Sequence, residues 1–379
     1  MMKKLERNKV SFVMDPNAGG GPRNVFTLSR LLNESGVVSD ILSFKSPQYL
    51  DHILNRKTDN NYFGAKRVEP NHLFSLIYTI TSIGDNVSEL LYPIFTFNQS
   101  ILKPLILSSY PKPNLYVATN WQSFTPSYLM SRKYNIPMMY FVQADESEFS
   151  NNRLYKKLAI ITYTSDIQKF THSKWLVETF QNKYETELIY IGFGIDHSKF
   201  YPRKFSEDKI IFTIARIGLT KGFSVFVKAV NRLWNLRQDF KVIIAGDKYA
   251  VNREAINFPY EFLGWIHDDE MLASLYSKSI FVSTGLNETL PMPPLEAMAC
   301  GGCVVMSLNG GSSEYANDNE NCLLTTPGND KELTEKLNFI LSQNSLRENL
   351  RSGAINTAKR YDWEKVVNKV VSLIRKKIG

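Results

Sequence analysis

Disulfide scaffolds and zinc ribbons are the first classes to fall, because Cys300, Cys303 and Cys322 are the only cysteines in 379 residues. Cys300-Gly-Gly-Cys303 has the Cys-x-x-Cys form, yet no second pair completes a zinc site and no thioredoxin-like unit follows. One of the two ends a helical pattern and the other begins a strand pattern, so both read as small core residues. The chain reads as intracellular and disulfide-free. Five histidines (His52, His72, His172, His197 and His267) are scattered without ligand spacing, and no Asp-x-Asp stands at a strand edge, so no metal site is expected. Long apolar runs are missing as well. The best, Leu73 to Ile83, is broken by Ser75, Thr79, Thr81 and Ser82 and closed by Gly84, well short of a membrane span. Behind the basic Lys3, Lys4, Arg7 and Lys9, the run Val10–Met14 is too short for a signal-peptide core. No zinc-finger spacing, basic heptad or RNA-binding strand signature occurs, and no Gly-x-Gly-x-x-Gly. Nucleic-acid modules and dinucleotide-binding oxidoreductases lose their main support.

What is present is ordinary soluble composition, 43% apolar and 22% charged, with a net charge of +8. That charge suits an anionic substrate or an acidic membrane surface. The length allows two domains. Short β-rich runs alternate with helical patterns, as in parallel α/β proteins. The spacing predicts strands at Val10–Met14, Ser39–Phe44, Asn114–Thr119, Pro137–Val142, Ala159–Thr164 and Leu188–Gly192, then at Lys209–Ala215, Phe240–Ala245, Tyr260–Leu263, Ile280–Ser283, Cys303–Ser307 and Cys322–Thr325. The rhythm restarts across the Gly/Pro-punctuated stretch from Gly192 to Pro202, which marks a domain boundary. Asp59 to Ser109 reads as a helical insertion facing an acceptor. The last helix carries Val366, Val367, Val370, Leu373 and Ile374 as one apolar stripe behind the N-cap candidate Asp362.

One stretch carries most of the chemistry: Gly285-Leu-Asn-Glu-Thr-Leu-Pro-Met-Pro-Pro-Leu-Glu-Ala-Met-Ala-Cys-Gly301. It follows a buried-strand pattern and places Glu288 and Glu296 eight positions apart. Pro293 and Pro294 suit a first helical turn. A strand, a tight loop and a helix N-terminus aim backbone N–H groups at one spot, which favours phosphate. Two carboxylates there would repel a bare phosphate and so suit hydroxyl groups. A nucleotide sugar has both. Upstream, Arg216, Gly218 and Lys221-Gly222 follow another strand, placing two cations where a leaving diphosphate could be neutralised.

Glu-x7-Glu followed by Ala-Met-Ala-Cys-Gly resembles the donor-site signature of retaining GT-B glycosyltransferases, family 4 (glycosyl transferases group 1). Asn309-Gly-Gly-Ser-Ser-Glu314 resembles the family's Gly-Gly-x-x-Glu turn, although the later Glu-Asn-Gly is Glu320-Asn-Cys322 here. The resemblance implies an α/β GT-B fold of two Rossmann-like, doubly wound domains facing across a cleft, with a C-terminal helix crossing back. Residues 1–195 with 361–379 would form the acceptor-side domain and 196–360 the donor domain. It assigns Arg216 and Lys221 to the diphosphate, Glu296 to the ribose and Glu288 to the sugar, with the amides of Thr289 and Leu290 near phosphate or sugar. Gly246 would lie near the nucleobase, or be a plain strand-to-loop turn. Gly19, Gly20 and Gly21 would lie against the diphosphate and acceptor, or form a surface turn.

The main departure is Gln143, which stands where many family members carry a histidine, and glutamine cannot titrate. Asp145, two residues on, reads equally as a polar contact or acceptor base and as a helix cap. Trp121 reads as a sugar platform or as core. The implied reaction is transfer from a UDP-, GDP- or dTDP-linked sugar to a hydroxyl of a glycan, glycolipid or lipid-linked acceptor. Anomeric configuration would be retained, without metal or cofactor. The setting expected is cytoplasmic, with peripheral contact at the inner membrane face. A GT-B epimerase and a non-catalytic sugar-nucleotide-binding protein are the alternatives.

Overall fold

The computed structural model describes residues 9–14, 20–43, 103–204 and 208–379. Gly19 and most of the expected helical insertion, including Leu73 to Ile83, lie outside them. The chain divides into two compact units, Met1–Gly192 with Glu364–Gly379 and Phe193–Trp363.

The first unit holds six parallel strands, β1 (Val10–Met14), β2 (Ser39–Ser43), β3 (Leu115–Ala118), β4 (Met138–Phe141), β5 (Lys169–Thr171) and β6 (Ile189–Tyr190), in the order β2-β1-β3-β4-β5-β6. Among the described residues the helices between them are α1 (Gly20–Glu34), α2 (Lys103–Ser108), α3 (Trp121–Tyr134), α4 (Arg153–Tyr163) and α5 (Lys174–Tyr184). Strand and helix side chains meet in a core that includes Val13, Tyr116, Tyr140, Trp121 and Phe180. Trp121 is 1% exposed and packs edge-on against Tyr155, so it is a core residue.

One expected strand is a helix. Ala159–Thr164 falls in α4, despite its β-branched residues. Asn152 caps that helix by accepting from the N–H groups of Leu154 and Tyr155, and Ala159, Thr162 and Tyr163 are buried at helical spacing. Capping and the spacing of the buried face outweigh local β preference. The strand itself lies further on, at β5.

The second unit has β7 (Ile210–Ala215), β8 (Lys241–Gly246), β9 (Glu261–Gly264), β10 (Ile280–Ser283), β11 (Cys303–Ser307) and β12 (Leu323–Thr325), again all parallel, ordered β12-β11-β10-β7-β8-β9. Its helices are α6 (Phe223–Leu236), α7 (Lys248–Asn252), α8 (Asp269–Lys278), α9 (Met292–Ala299), α10 (Asp330–Leu341) and α11 (Asn344–Ala358). Successive strand residues enter opposite layers: Ile211, Ile280, Val282, Cys303 and Val305 pack on one side, Phe212, Phe281, Val304 and Met306 on the other. Both faces are therefore apolar, as a doubly wound parallel sheet requires. The three cysteines are buried and free, and burial pushes each thiol up to about 12.

The last helix, α12 (Trp363–Ile378), belongs to the first unit from Glu364 onward. It buries Val366, Val367, Val370, Val371 and Ile374, the stripe expected except that Val371 is buried and Leu373 only half-buried.

His172, 6% exposed between β5 and α5, packs edge-on against Phe141, and burial lowers its imidazole to about 4. An unfolded chain takes up a proton there below pH 6.5, whereas the folded unit refuses it until about pH 4. Its contribution is thus intact above pH 6.5 and falls by about 1.4 kcal/mol per pH unit below it. Urea midpoints at pH 7 and pH 5 should drop less for His172→Phe than for the wild type. Equal drops would remove His172 from the acid response.

Candidate active site

Strand order locates the site before any side chain is considered. In the second unit the chain winds from β7 out to β9, then returns to place β10 on the other side of β7. Ligands of open parallel sheets bind outside the strand C-termini at such a switch point. Arg216 follows β7 directly, and Gly285 to Leu290 follow β10.

The two loops are bolted together there. Lys221 Nζ lies 2.5 Å from Glu288 Oε1, with the carboxylate side chain 13% exposed and the lysine 32%. The Leu286 N–H donates to the Thr220 carbonyl at 2.7 Å. Gly222 has φ +65°, and an added Cβ would stand 1.9 Å from the Thr284 carbonyl oxygen. Only glycine permits that approach. Gly222 then opens α6, which has no side-chain cap at its N-terminus. Arg216 makes no ion pair among the described residues.

A third loop, after β11, fastens the second. The Gly311 N–H donates to the Glu288 carbonyl at 2.9 Å, Asn309 Nδ2 to the Gly285 carbonyl at 2.9 Å, and the Tyr315 hydroxyl to the Pro291 carbonyl at 2.5 Å. The Glu288–Leu290 backbone is therefore held on both sides. The expected Gly-Gly-x-x-Glu turn supplies this brace: Gly310–Glu314 is a 3-10 turn. The missing glycine at Cys322 is explained by Asn319, which takes the positive φ of 61° in that loop.

The anion-facing amides differ from expectation at one point. Pro293 and Pro294 both fall in the first turn of α9, so only Met292 and Leu295 keep N–H groups among its first four residues. An anion placed here would have to draw its donors largely from the loop at Thr289 and Leu290 and from the start of α6. Glu296 lies further along α9 and is 5% exposed. Gly246, with φ +102°, pairs with Ala215, and a Cβ there would meet the Ala215 carbonyl at 2.2 Å. Asp247 next to it caps α7 through the Tyr249 N–H at 2.7 Å. Gly246 is thus a tight strand-to-helix turn.

Sequence reasoning missed Ile217, Tyr249 and Trp265, which are 51%, 56% and 49% exposed. They follow the neighbouring strands β7, β8 and β9, with the Arg253 guanidinium lying 4.2 Å over the Tyr249 ring. Only Trp265 carried a direct signal, a large apolar residue straight after a strand's last small residue in Gly264-Trp265.

In the first unit the order reverses between β1 and β3. Gln143, after β4, donates from Nε2 to the Thr119 carbonyl at 3.1 Å. Its Oε1 is buried without a hydrogen-bond partner among the described residues and lies 3.4 Å from where a Cβ on Gly21 would stand. Gly20 and Gly21 are the first two residues of α1. Gln143 and Gly21 are thus brought together. Asp145 turns the other way: 6% exposed, it accepts from the Ser147 N–H and hydroxyl (3.2 and 2.6 Å), the Tyr184 hydroxyl (2.9 Å) and Lys183 Nζ (2.8 Å). Burial opposes the Lys183 charge, but the hydrogen bonds it donates to Asp145 and Glu148 hold its ammonium above the usual range.

With this geometry in view, residues 195–357 match the family model for glycosyl transferases group 1. Sulfoquinovosyl transferase SQD2 of Arabidopsis thaliana is 25% identical over 194 residues, covering 47% of this chain and 38% of the plant protein. Sucrose-phosphate synthase from Thermosynechococcus elongatus superposes with a TM-score of 0.72 at 16% identity, covering 98% of this chain and 99% of that one. HepE of Anabaena, solved in complex with UDP-glucose, gives 0.67 at 15% identity, with 98% and 100% covered. The fold is GT-B: two Rossmann-like units, each built on a six-stranded parallel sheet. The match to the glycosyl transferases group 1 model falls within its second unit.

Proposed function

We propose that the protein transfers a sugar from a nucleotide-diphospho-sugar to an acceptor hydroxyl, with retention at the anomeric carbon and no metal ion. The observation that carries this reading is the Lys221–Glu288 pair at the β7/β10 switch point. A cation for phosphate and a carboxylate for hydroxyls stand 2.5 Å apart, which suits the bond between a sugar and its diphosphate. UDP-glucose in the structural neighbour HepE supports a donor of this kind.

Arg216 and Lys221 neutralise the diphosphate as it departs, and the uncapped start of α6 adds oriented amides. Glu288 accepts from sugar hydroxyls, and Glu296 from the ribose. Ile217 and Trp265, exposed after β7 and β9, offer the nucleobase apolar surface. The C1–O bond to phosphate breaks as the acceptor oxygen attacks from the same face, and the acceptor proton passes to the departing phosphate oxygen. No protein base is required. Gln143 accepts a ligand hydroxyl through its Oε1, which has no partner among the described residues, and Asp145 caps and braces the turn behind it. The acceptor is a glycan or a lipid-linked sugar.

A panel of UDP-, GDP- and dTDP-sugars tests this. Nucleotide release should depend on acceptor, survive a chelator, and yield a product whose anomeric coupling by NMR matches the donor. Release without acceptor points to an epimerase, and no release with any donor to a binding protein.

A further inference from the structure

Gln143 Oε1 is not the only buried polar atom of the first unit without a hydrogen-bond partner among the described residues. Nδ1 of His172, the residue directly after β5, is another, in a side chain only 6% exposed. The two groups face the same way. Phe141 and Gln143 are two residues apart and so point to one side of the sheet. The His172 ring meets Phe141 edge-on with centroids 5.6 Å apart. β4 and β5 pair in parallel with Phe141 opposite Phe170, and the same register two residues on sets Gln143 beside His172 at the strand-end edge. Gly21, at the start of α1, lies against Gln143.

Packing gives no reason for an imidazole here. Phe141 and Phe170 stack with centroids 4.9 Å apart, and a third phenylalanine at residue 172 would continue that cluster. A histidine instead leaves a buried nitrogen unpaired, which destabilises the fold unless something else satisfies it. The chemistry on offer is well defined. The Gln143 amide is fixed with its oxygen free, because Nε2 donates to the Thr119 carbonyl and a reversed amide would set two carbonyl oxygens together. The imidazole stays neutral at pH 7, since burial lowers it to about 4, and so carries one N–H and one acceptor nitrogen. Asp145, the carboxylate nearest in sequence to Gln143, is engaged by Ser147, Tyr184 and Lys183. The pair therefore suits an uncharged ligand that both donates and accepts hydrogen bonds.

We propose that His172 and Gln143 form a two-point subsite for the hydroxyl groups of an uncharged sugar, with His172 as its specificity-determining residue. Gln143 Oε1 accepts from one hydroxyl, and the His172 ring bonds a second. A phosphate or carboxylate at this point would meet the Gln143 oxygen with no counter-charge beside it, and is rejected. That the sugar is part of the acceptor rests on the transferase reading; its binding does not, since it needs neither donor nor turnover.

Nitrogen-15 imidazole NMR of the full chain tests this, with the methyl glycosides of glucose, galactose, mannose and N-acetylglucosamine as neutral probes and glucose 6-phosphate and glucuronate as charged ones. At least one neutral glycoside should shift the His172 ring nitrogens, and the charged probes should bind about tenfold more weakly or worse. His172→Phe and Gln143→Leu should each weaken the neutral probe about tenfold. His172→Asn, which keeps a polar atom near the place of Nδ1, should recover most of that loss. His172→Phe should also melt no lower than the wild type at pH 7, whereas a histidine kept for packing would leave it less stable. His172 resonances that no glycoside moves would mean that the two atoms hold water only, and would overturn the proposal. So would a charged probe bound as well as the neutral ones, or wild-type affinity in His172→Phe. Glycoside binding without nucleotide release from any donor would remove the transferase reading and keep the subsite; release with unmoved His172 resonances would do the reverse.

Discussion

Replacing Lys221 by alanine is expected to lower kcat about a thousandfold. The ammonium is the group that Glu288 holds at the switch point, 2.5 Å from its carboxylate. Two effects add. The departing diphosphate loses a counter-charge, and Glu288 is left as an unpaired, largely buried carboxylate facing it. The second effect can be separated from the first. Adding Glu288→Gln to Lys221→Ala should recover part of the lost donor affinity, because the repulsion disappears, while kcat stays low. Lys221→Arg keeps the charge but replaces a compact ammonium with a planar fork, so it should retain more activity than alanine. Steady-state kinetics on the four proteins reads all of this. If Lys221→Ala keeps wild-type kcat, the cation has no part in leaving-group departure.

Gly311→Ala should be the most damaging single methyl group in the second unit. Its Cβ would stand 1.7 Å from the Thr289 carbonyl oxygen and 2.7 Å from the Leu290 nitrogen. Those are backbone atoms, which cannot rotate away as a side-chain tip could. The same glycine donates its N–H to the Glu288 carbonyl. Relief therefore requires the donor loop to move, the brace to open, or both. A loss of about 3 kcal/mol is expected, together with a raised KM for the donor. Chemical denaturation should show the second unit unfolding earlier while the first keeps its midpoint. An alanine variant with unchanged stability and kinetics would show that the loop is not held as described.

Much of the fold was legible because it is repetitive. In the second unit every expected strand overlaps an observed one, since most are short β-branched runs closed by a small or polar residue, as in Ile210–Ala215. The strand placed at Ala159–Thr164 failed for a physical reason. An isolated Ile-Ile-Thr-Tyr segment looks like a strand until the cap at Asn152, eight residues before it, is counted. The two prolines of α9 were read as favouring a helix start, as they do, but they also remove two of the amides assigned to the anion. Spacing alone could not foretell that Lys221 and Glu288, 67 residues apart, would pair. That depends on which strand returns beside β7. Nor could it separate the two readings of Asp145, because the donors that occupy it include Lys183 and Tyr184, far along the chain.

The central claim is that the second unit is a donor site for a nucleotide-diphospho-sugar, with Glu296 holding the ribose. Isothermal titration of the wild type and of Glu296→Ala with UDP-, GDP- and dTDP-sugars tests it most directly. The account predicts that at least one donor binds the wild type, is displaced by its own nucleoside diphosphate, and binds Glu296→Ala about thirtyfold more weakly. Absence of binding by every donor, or equal affinity in a folded Glu296→Ala variant, would contradict it.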